Sequence, residues 1–337
     1  PELAECLAES AKLHGVGSGA SHMVCGHHEL HQQLETALAS FVGSQRVLIF
    51  SSGYMANIGL PQALTGRGDL ILSDRLNHAS LIDGVRLSHA KTKRFQHRDV
   101  NHAQRISSSA DYQRCLLVTD GVFSMDGDIA PISELRALAA ERNGLLLVDD
   151  AHGVGVLGSK GRGSLALNVA AQELMDFNSV LLMGTFGKAF GCFGAFVAGN
   201  ADLIEHIEQR CRSYIYTTAL PPGLAACALT ALELVLEGSL TESLQGNIRF
   251  FRCEAKDQGL PLLESVSAIQ PVIIGDNAKT LKLAIKLRAK GFLVGAIRPP
   301  TVPEGTARLR ITLSANHTRQ QISELITELT SALGNRS

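Results

Sequence analysis

The sequence predicts an α/β protein: a large, mostly parallel central sheet flanked by helices, followed by a smaller C-terminal α+β domain. Three observations predict it. Short apolar runs recur along the chain, each too short for a helix of its own and each ending in a Gly-, Ser- or Asp-rich corner. Amphipathic helical stretches alternate with them, the pattern of strand–helix units. One run, GLLLVDD at 144–150, is apolar almost throughout, as a central parallel strand buried on both faces must be. With 337 residues, 45% of them hydrophobic and 19% charged, the chain is long and apolar enough for two domains, placed at 1–236 and 237–337.

The totals exclude several classes. A net charge of -1 argues against nucleic acid as a partner. The seven cysteines are widely spaced and contain no C-x-x-C, so they read as reduced core cysteines and not as a disulfide framework or zinc site. No signal peptide or membrane span is expected, because the most apolar window, around Lys188, is broken by glycines and by that lysine. A cytoplasmic location follows. The chain opens on Pro1 and not on Met, so it is expected to begin inside a longer protein.

In chain order, Pro1 to His14 has helical spacing, and the Gly/Ser-dense stretch 15–26 reads as a loop, either a plain linker or a set of amides open to an anion or another subunit. Glu29 to Val42 is an amphipathic helix with Leu30, Leu34, Leu38 and Phe41 on one face. Arg46 to Phe50 is a strand that runs through Ser51-Ser52-Gly53-Tyr54 into a helix, a geometry that either cradles a phosphate or is an ordinary turn. Asp69 to Ser73 is the next strand, and His78 follows its C-terminal end, where open α/β sheets place ligands. A strand at 91–95, a short helix at Asn101 to Ala110 and a strand at Arg114 to Thr119 follow. The loop after them holds Ser124, Asp126 and Asp128 without a ligand set at metal spacing, and a helix starts near Pro131 or Ile132.

Asp149 ends the central apolar strand, where a carboxylate is costly unless it meets a cation. His152 can reach the same place from the loop. GVGVLG at 153–158 matches G-x-G-x-x-G, but loop residues follow it instead of a helix, so no dinucleotide site is expected there. Val180 to Met183 is a buried strand that leads into a Gly-rich corner carrying one lysine, Lys188. Such a lysine is either a snorkelling side chain at a strand end or, in a partly desolvated pocket, an amine of lowered pKa suited to Schiff-base chemistry. Asn200 to Arg212 is a helix, Ser213 to Pro222 is extended, and Gly223 to Glu237 begins a long helix. The C-terminal part reads as strand Ala268 to Ile274, helix Thr280 to Lys290, strand Phe292 to Ile297, strand Arg308 to Leu313 and helix Gln320 to Leu333.

Six stretches carry a resemblance in order and spacing: SSGYMAN, NHASLIDG, GVFSMDGDIAP, VDDAHGVGVLG, TFGKAFGCFG and YTTALPP. Together they resemble the α-oxoamine synthases, fold-type I enzymes that use pyridoxal 5'-phosphate (PLP), and the resemblance covers essentially the whole chain. It implies a fold-type I PLP-dependent transferase, and it assigns roles residue by residue. Lys188 would hold PLP as a Schiff base and move the proton, while Asp149 would pair with the pyridinium nitrogen. His78 would stack on the ring, and His152 and Ser124 would lie near the ring oxygen and the phosphate side. Gly53, Tyr54 and Thr185 would hold the phosphate, with Thr217 or Thr218 reaching across from a second subunit of a homodimer with a shared active site. Arg298 would clamp the amino-acid carboxylate and Thr301 would line the substrate side.

The C-terminal stretch IQPVIIGDN…GFLVGAIRPPTVPEGTARLRITLSANH is closest to the members of biotin synthesis, which join L-alanine to pimeloyl-CoA or a pimeloyl-carrier protein. The alternatives are glycine with acetyl-CoA or succinyl-CoA, serine with a long acyl-CoA, or a non-catalytic partner subunit, which would be expected to lack the lysine. Tyr54 stands where the family often has Phe, Asp120 where it often has Glu, and Ala20 where it has a glycine. The family also carries some tens of residues ahead of the position of Pro1, including an Asn-Asp-Tyr-Leu-Gly segment near the active site.

Overall fold

The computed structural model describes residues 1–167 and 177–334. The chain divides into two units, Pro1–Val122 with Ala130–Glu237, and Phe123–Ile129 with Gly238–Ser337.

In the first unit the apolar runs become seven strands: β1 (Arg46–Phe50), β2 (Leu70–Asp74), β3 (Lys91–Phe95), β4 (Cys115–Asp120), β5 (Leu145–Asp149), β6 (Val180–Thr185) and β7 (Ala195–Gly199). They form one sheet in the order β1-β7-β6-β5-β4-β2-β3. The five strands β3, β2, β4, β5 and β6 run parallel, whereas β7 is antiparallel to both β6 and β1. β7 was not expected from the sequence. Its run AFVAG directly follows the Gly-rich corner and folds straight back on β6, with Thr185 opposite Ala195.

The helices of this unit are α1 (Glu2–His14), α2 (Glu29–Val42), α3 (Gly53–Leu64), α4 (Ala79–Leu87), α5 (Val100–Ser108), α6 (Ile132–Glu141), α7 (Ala201–Arg210), α8 (Arg212–Ile215) and α9 (Pro222–Glu237). Both sheet faces are covered, as the apolar strands require. On one face Leu48, Ile71, Val118, Leu147, Leu181 and Met183 pack with Ala56 and Leu60 of α3, Leu81 of α4 and Tyr214 of α8. On the other, Ile49, Leu182 and Phe196 pack with Leu34 and Leu38 of α2 and with Ala228 and Leu232 of α9. Gly84 lets α4 approach α3: a Cβ there would lie 2.1 Å from the Asn57 carbonyl oxygen.

Three expectations are corrected. Ser213 to Pro222 is not extended from its start, because α8 takes residues 212–215 and buries Tyr214, and Ser213 Oγ donates to the Met55 carbonyl at 2.6 Å. The cysteines are not all core residues: Cys115, Cys211 and Cys227 are buried, but Cys25 and Cys253 are exposed. The stretch 15–26 is not loop throughout, since His22–Gly26 winds into one π-helical turn. As expected, the G-x-G-x-x-G match opens no α-helix and is followed by short 3-10 turns at Ser159–Gly161 and Ser164–Ala166.

In the second unit β8 (Ile269–Gly275), β9 (Gly295–Ile297) and β10 (Ala307–Thr312) form an antiparallel sheet with β10 in the middle, accompanied by α10 (Ser239–Asp257), α11 (Asn277–Ala289) and α12 (Arg319–Gly334). The long helix begun at 222 stops at Gly238, whose φ of 82° breaks it before α10. The strand expected from Phe292 shortens to three residues, because only 295–297 find partners on β10 and Leu293 stays 86% exposed. Segment 123–129 joins this unit through polar contacts: Arg308 pairs with Asp126, and the Ser265 and Ser267 hydroxyls donate to the Gly127 carbonyl at 2.9 and 3.1 Å. No single helix among the described residues is long and apolar enough to cross a membrane.

β1 is an edge strand, and its outward Ile49 N–H donates to Glu35 Oε1 of α2 at 3.1 Å. Burial pushes the Glu35 carboxyl from about 4.5 up to about 8. The folded chain therefore holds a proton that the unfolded chain releases above its ordinary value, so stability at this site is lost as pH rises toward about 8. Glu35→Gln keeps an acceptor for Ile49 and cannot ionise. It should raise Tm by an increment that grows between about pH 5 and about pH 8. A pH-independent increment in thermal melts would contradict this assignment.

Candidate active site

The C-terminal ends of the parallel strands bring most of the sequence-selected residues of the first unit to one sheet edge. Register sets the spacing: Asp120 of β4 lies beside Asp149 of β5, and Asp149 lies beside Met183 of β6. Adjacent strands are about 4.8 Å apart, so two carboxyls sit side by side, and both are only 4% exposed.

Each carboxyl is held by donors. Asp149 Oδ1 accepts the Ala151 N–H at 3.0 Å, and its Oδ2 accepts Asn57 Nδ2 at 2.6 Å. Asp120 Oδ2 accepts the His78 N–H at 2.7 Å. Burial first, then the neighbouring Asp149 charge, push Asp120 well above the usual carboxylate range.

His78 caps α4, and its Nδ1 lies 2.7 Å from Ser80 Oγ. Ser80 Oγ in turn accepts Asn57 Nδ2 at 2.9 Å. A continuous chain of hydrogen bonds thus runs from the His78 imidazole through Ser80 and Asn57 to Asp149. Asn57 and Ser80 were not singled out from the sequence. A signal existed for Asn57: an asparagine in a helix interior is unfavourable and calls for a reason.

Beyond β5, His152 Nε2 lies 3.0 Å from Lys188 Nζ. Lys188 sits on the corner between β6 and β7 and is exposed. The corner turns outward after Thr185, so this chain alone does not enclose the amine. Thr185 Oγ1 donates to the Gly194 carbonyl at 2.9 Å and accepts the Gly187 N–H at 3.2 Å, closing the corner.

At the end of β1, Ser52 caps α3 by accepting the Met55 N–H, and Gly53 opens the helix. The helix N-terminus is a favourable anion site. Tyr54 is half exposed, and its hydroxyl turns to Asp83 of α4 at 2.7 Å. Ser51 Oγ donates to the Thr218 carbonyl at 3.2 Å, which brings the 217–218 segment of the same chain to this turn.

Ser124, Arg298 and Thr301 belong to the second unit. The Ser124 carbonyl accepts Arg310 Nε at 2.5 Å. Arg298 and Thr301 are exposed and lie on one turn, closed by the Thr301 N–H to the Arg298 carbonyl at 3.1 Å.

The donor set of the first unit fits PLP. A primary amine, an imidazole, a buried carboxylate and a hydroxyl-lined helix N-terminus share one sheet edge. They match the aldehyde, ring face, pyridine nitrogen and phosphate of that cofactor. Asn57 Oδ1 is buried with no hydrogen-bond partner, so this layer is not yet internally satisfied. Replacing Asn57 by Leu would leave Asp149 short of a donor. Asn57→Leu should lower unfolding free energy by about 1–3 kcal/mol in denaturant titrations, and an unchanged midpoint would show that the network contributes nothing.

The family model for class I and II aminotransferases matches residues 2–329. The chain is 49% identical over 335 residues to an 8-amino-7-oxononanoate synthase of Methylococcus capsulatus, covering 99% of this chain and 85% of that protein. Among solved structures it resembles a serine palmitoyltransferase from S. paucimobilis with a bound PLP–myriocin aldimine, at a TM-score of 0.91 and 33% identity, covering 98% of this chain and 83% of that one. It also resembles the 8-amino-7-oxononanoate synthase of Francisella tularensis, at a TM-score of 0.82 and 31% identity, covering 98% of this chain and 93% of that one.

Proposed function

The chain belongs to the class I and II aminotransferase family and, within it, to the 8-amino-7-oxononanoate synthases, and we propose that it condenses L-alanine with a pimeloyl thioester, releasing carbon dioxide and the free thiol. The observation that carries this reading is the 49% identity to a synthase of that name over almost the whole chain. The thioester is pimeloyl-CoA or pimeloyl-carrier protein, and the product, 8-amino-7-oxononanoate, serves biotin synthesis.

PLP, when bound, supplies an electron sink for the carbanion at the amino-acid α-carbon. The chain's own residues do the rest. Lys188 Nζ is the amine that would hold the cofactor's aldehyde carbon, and as a free amine it would move the α-proton of the amino acid. His152 Nε2, 3.0 Å away, is placed to share a proton with that amine. Asp149 would pair with the protonated pyridine nitrogen, and Asn57 and Ala151 orient the carboxylate for it. His78, its imidazole fixed by Ser80, would pack against the ring face. The α3 N-terminus with Gly53, Tyr54 and Thr185 would take the phosphate. By the family resemblance, Ser124 would serve the cofactor, Arg298 would clamp the alanine carboxylate as a bidentate donor, and Thr301 would serve the substrate.

A homodimer with a shared site, located in the cytoplasm, completes the proposal. The homodimer is supported by the exposure of Lys188 and by the exposed apolar residues Phe193, Tyr216 and Val24, at 55%, 72% and 77%. Thr217 or Thr218 of the second copy then adds to the phosphate site.

A second reading, serine with a long acyl-CoA, is favoured by the higher TM-score to serine palmitoyltransferase. A backbone match reports the common scaffold, however, and substrate choice rests on side chains. Thiol release should be highest with L-alanine and pimeloyl-CoA in a matrix of alanine, glycine and serine against pimeloyl-, acetyl-, succinyl- and palmitoyl-CoA. Preference for another pair would retain the cofactor and refute the substrates. Lys188→Ala should abolish turnover, and near-normal turnover in that variant would refute the mechanism.

A further inference from the structure

The stretch SHMVCGHHELH, residues 21–31, holds four of the chain's 12 histidines. Three of them converge where the π-helical turn meets the start of α2. The ring centroids of His22 and His31 are 5.0 Å apart, those of His22 and His27 5.2 Å, and those of His27 and His31 5.5 Å. One ring nitrogen from each lies within 4.8 Å of the others. The closest pair, His22 Nδ1 and His27 Nδ1, is 2.9 Å apart.

We propose that His22, His27 and His31 form a binding site for a divalent transition-metal cation of the zinc class. Three imidazoles with a water in the fourth place make a tetrahedral zinc site, with metal–nitrogen bonds of about 2.0–2.1 Å and hence nitrogens about 3.3 Å apart. The His22–His27 pair already stands near that separation, and His31 has a short distance to close. A set of imidazoles without carboxylates selects zinc, nickel, copper or cobalt over magnesium or calcium.

The surroundings of His31 match what a metal-binding histidine needs. His31 Nε2 donates to the Leu220 carbonyl at 2.6 Å, the outer hydrogen bond that orients a ligating ring and leaves Nδ1 for the ion. That Nδ1 now accepts the His28 N–H at 2.8 Å, so ion entry exchanges one capping bond for a metal bond. His28 is half-buried and can turn its N–H to water. His22 is fixed by stacking on Tyr214, with centroids 5.1 Å apart and planes 7° from parallel, and its Nε2 is buried with no hydrogen-bond partner. His27 is exposed and gives the ion its way in.

The site would act as a clamp. The Leu220 carbonyl accepts both His31 Nε2 and Ser18 Oγ, each at 2.6 Å, and the Ala219 N–H donates to the Ala20 carbonyl at 3.0 Å. An ion on the three rings would tighten the 15–26 stretch and α2 onto the segment that carries Thr217 and Thr218.

The test is calorimetric titration of the full chain with zinc(II), with cobalt(II) absorbance as a second readout of tetrahedral geometry. One equivalent should bind, with a cobalt ligand-field band. His27→Gln, at an exposed position, and His22→Phe, which keeps the stack on Tyr214, should each weaken affinity at least tenfold and abolish the band. The proposal is overturned if the wild-type chain binds no equivalent, or if either substitution leaves affinity and band unchanged.

Discussion

Two carboxyls at neighbouring strand ends, Asp120 and Asp149, set the terms for the rest of the first unit. Both are sealed from water, and like charges on adjacent strands cannot both persist there without donors or a cation. The fold meets this with donors: the His78 N–H on Asp120, and the Ala151 N–H and Asn57 on Asp149. α3 and α4 also come close enough for Asn57 and Ser80 to meet, an approach that Gly84 permits. Packing and site chemistry are here one arrangement.

The sheet edge explains how distant sequence segments converge. Parallel strands all end at the same side, so the residues just past β1, β2, β5 and β6 gather there whatever their separation along the chain. Lys188 is the exception in environment. The antiparallel return of β7 throws its corner outward, and Thr185 braces it without covering it. Under the proposed reaction, the desolvation that tunes the amine comes from the bound cofactor and a second copy of the chain.

The likeness to serine palmitoyltransferase and the closer identity to 8-amino-7-oxononanoate synthase speak to different levels. Backbone overlap reports a common scaffold, whereas substrate choice rests on side chains, which is why sequence identity outweighs backbone overlap in assigning substrates.

The sequence by itself determined the strand–helix alternation, the central strand ending in Asp149, the lysine corner and the family. Each of these is encoded locally, in apolar runs, glycine-rich turns and ordered motifs. It was silent on β7 and on the sharing of 123–129 with the C-terminal unit, and it read the helical turn at 212–215 as extended from Ser213 onward. It also missed the Asn57–Ser80 link and the three converging histidines. These depend on which strand returns beside which, and on buried polar groups that find partners tens of residues away. Only the tertiary structure decides such pairings, because a hydrogen bond across packed elements leaves no periodicity in the chain that makes it.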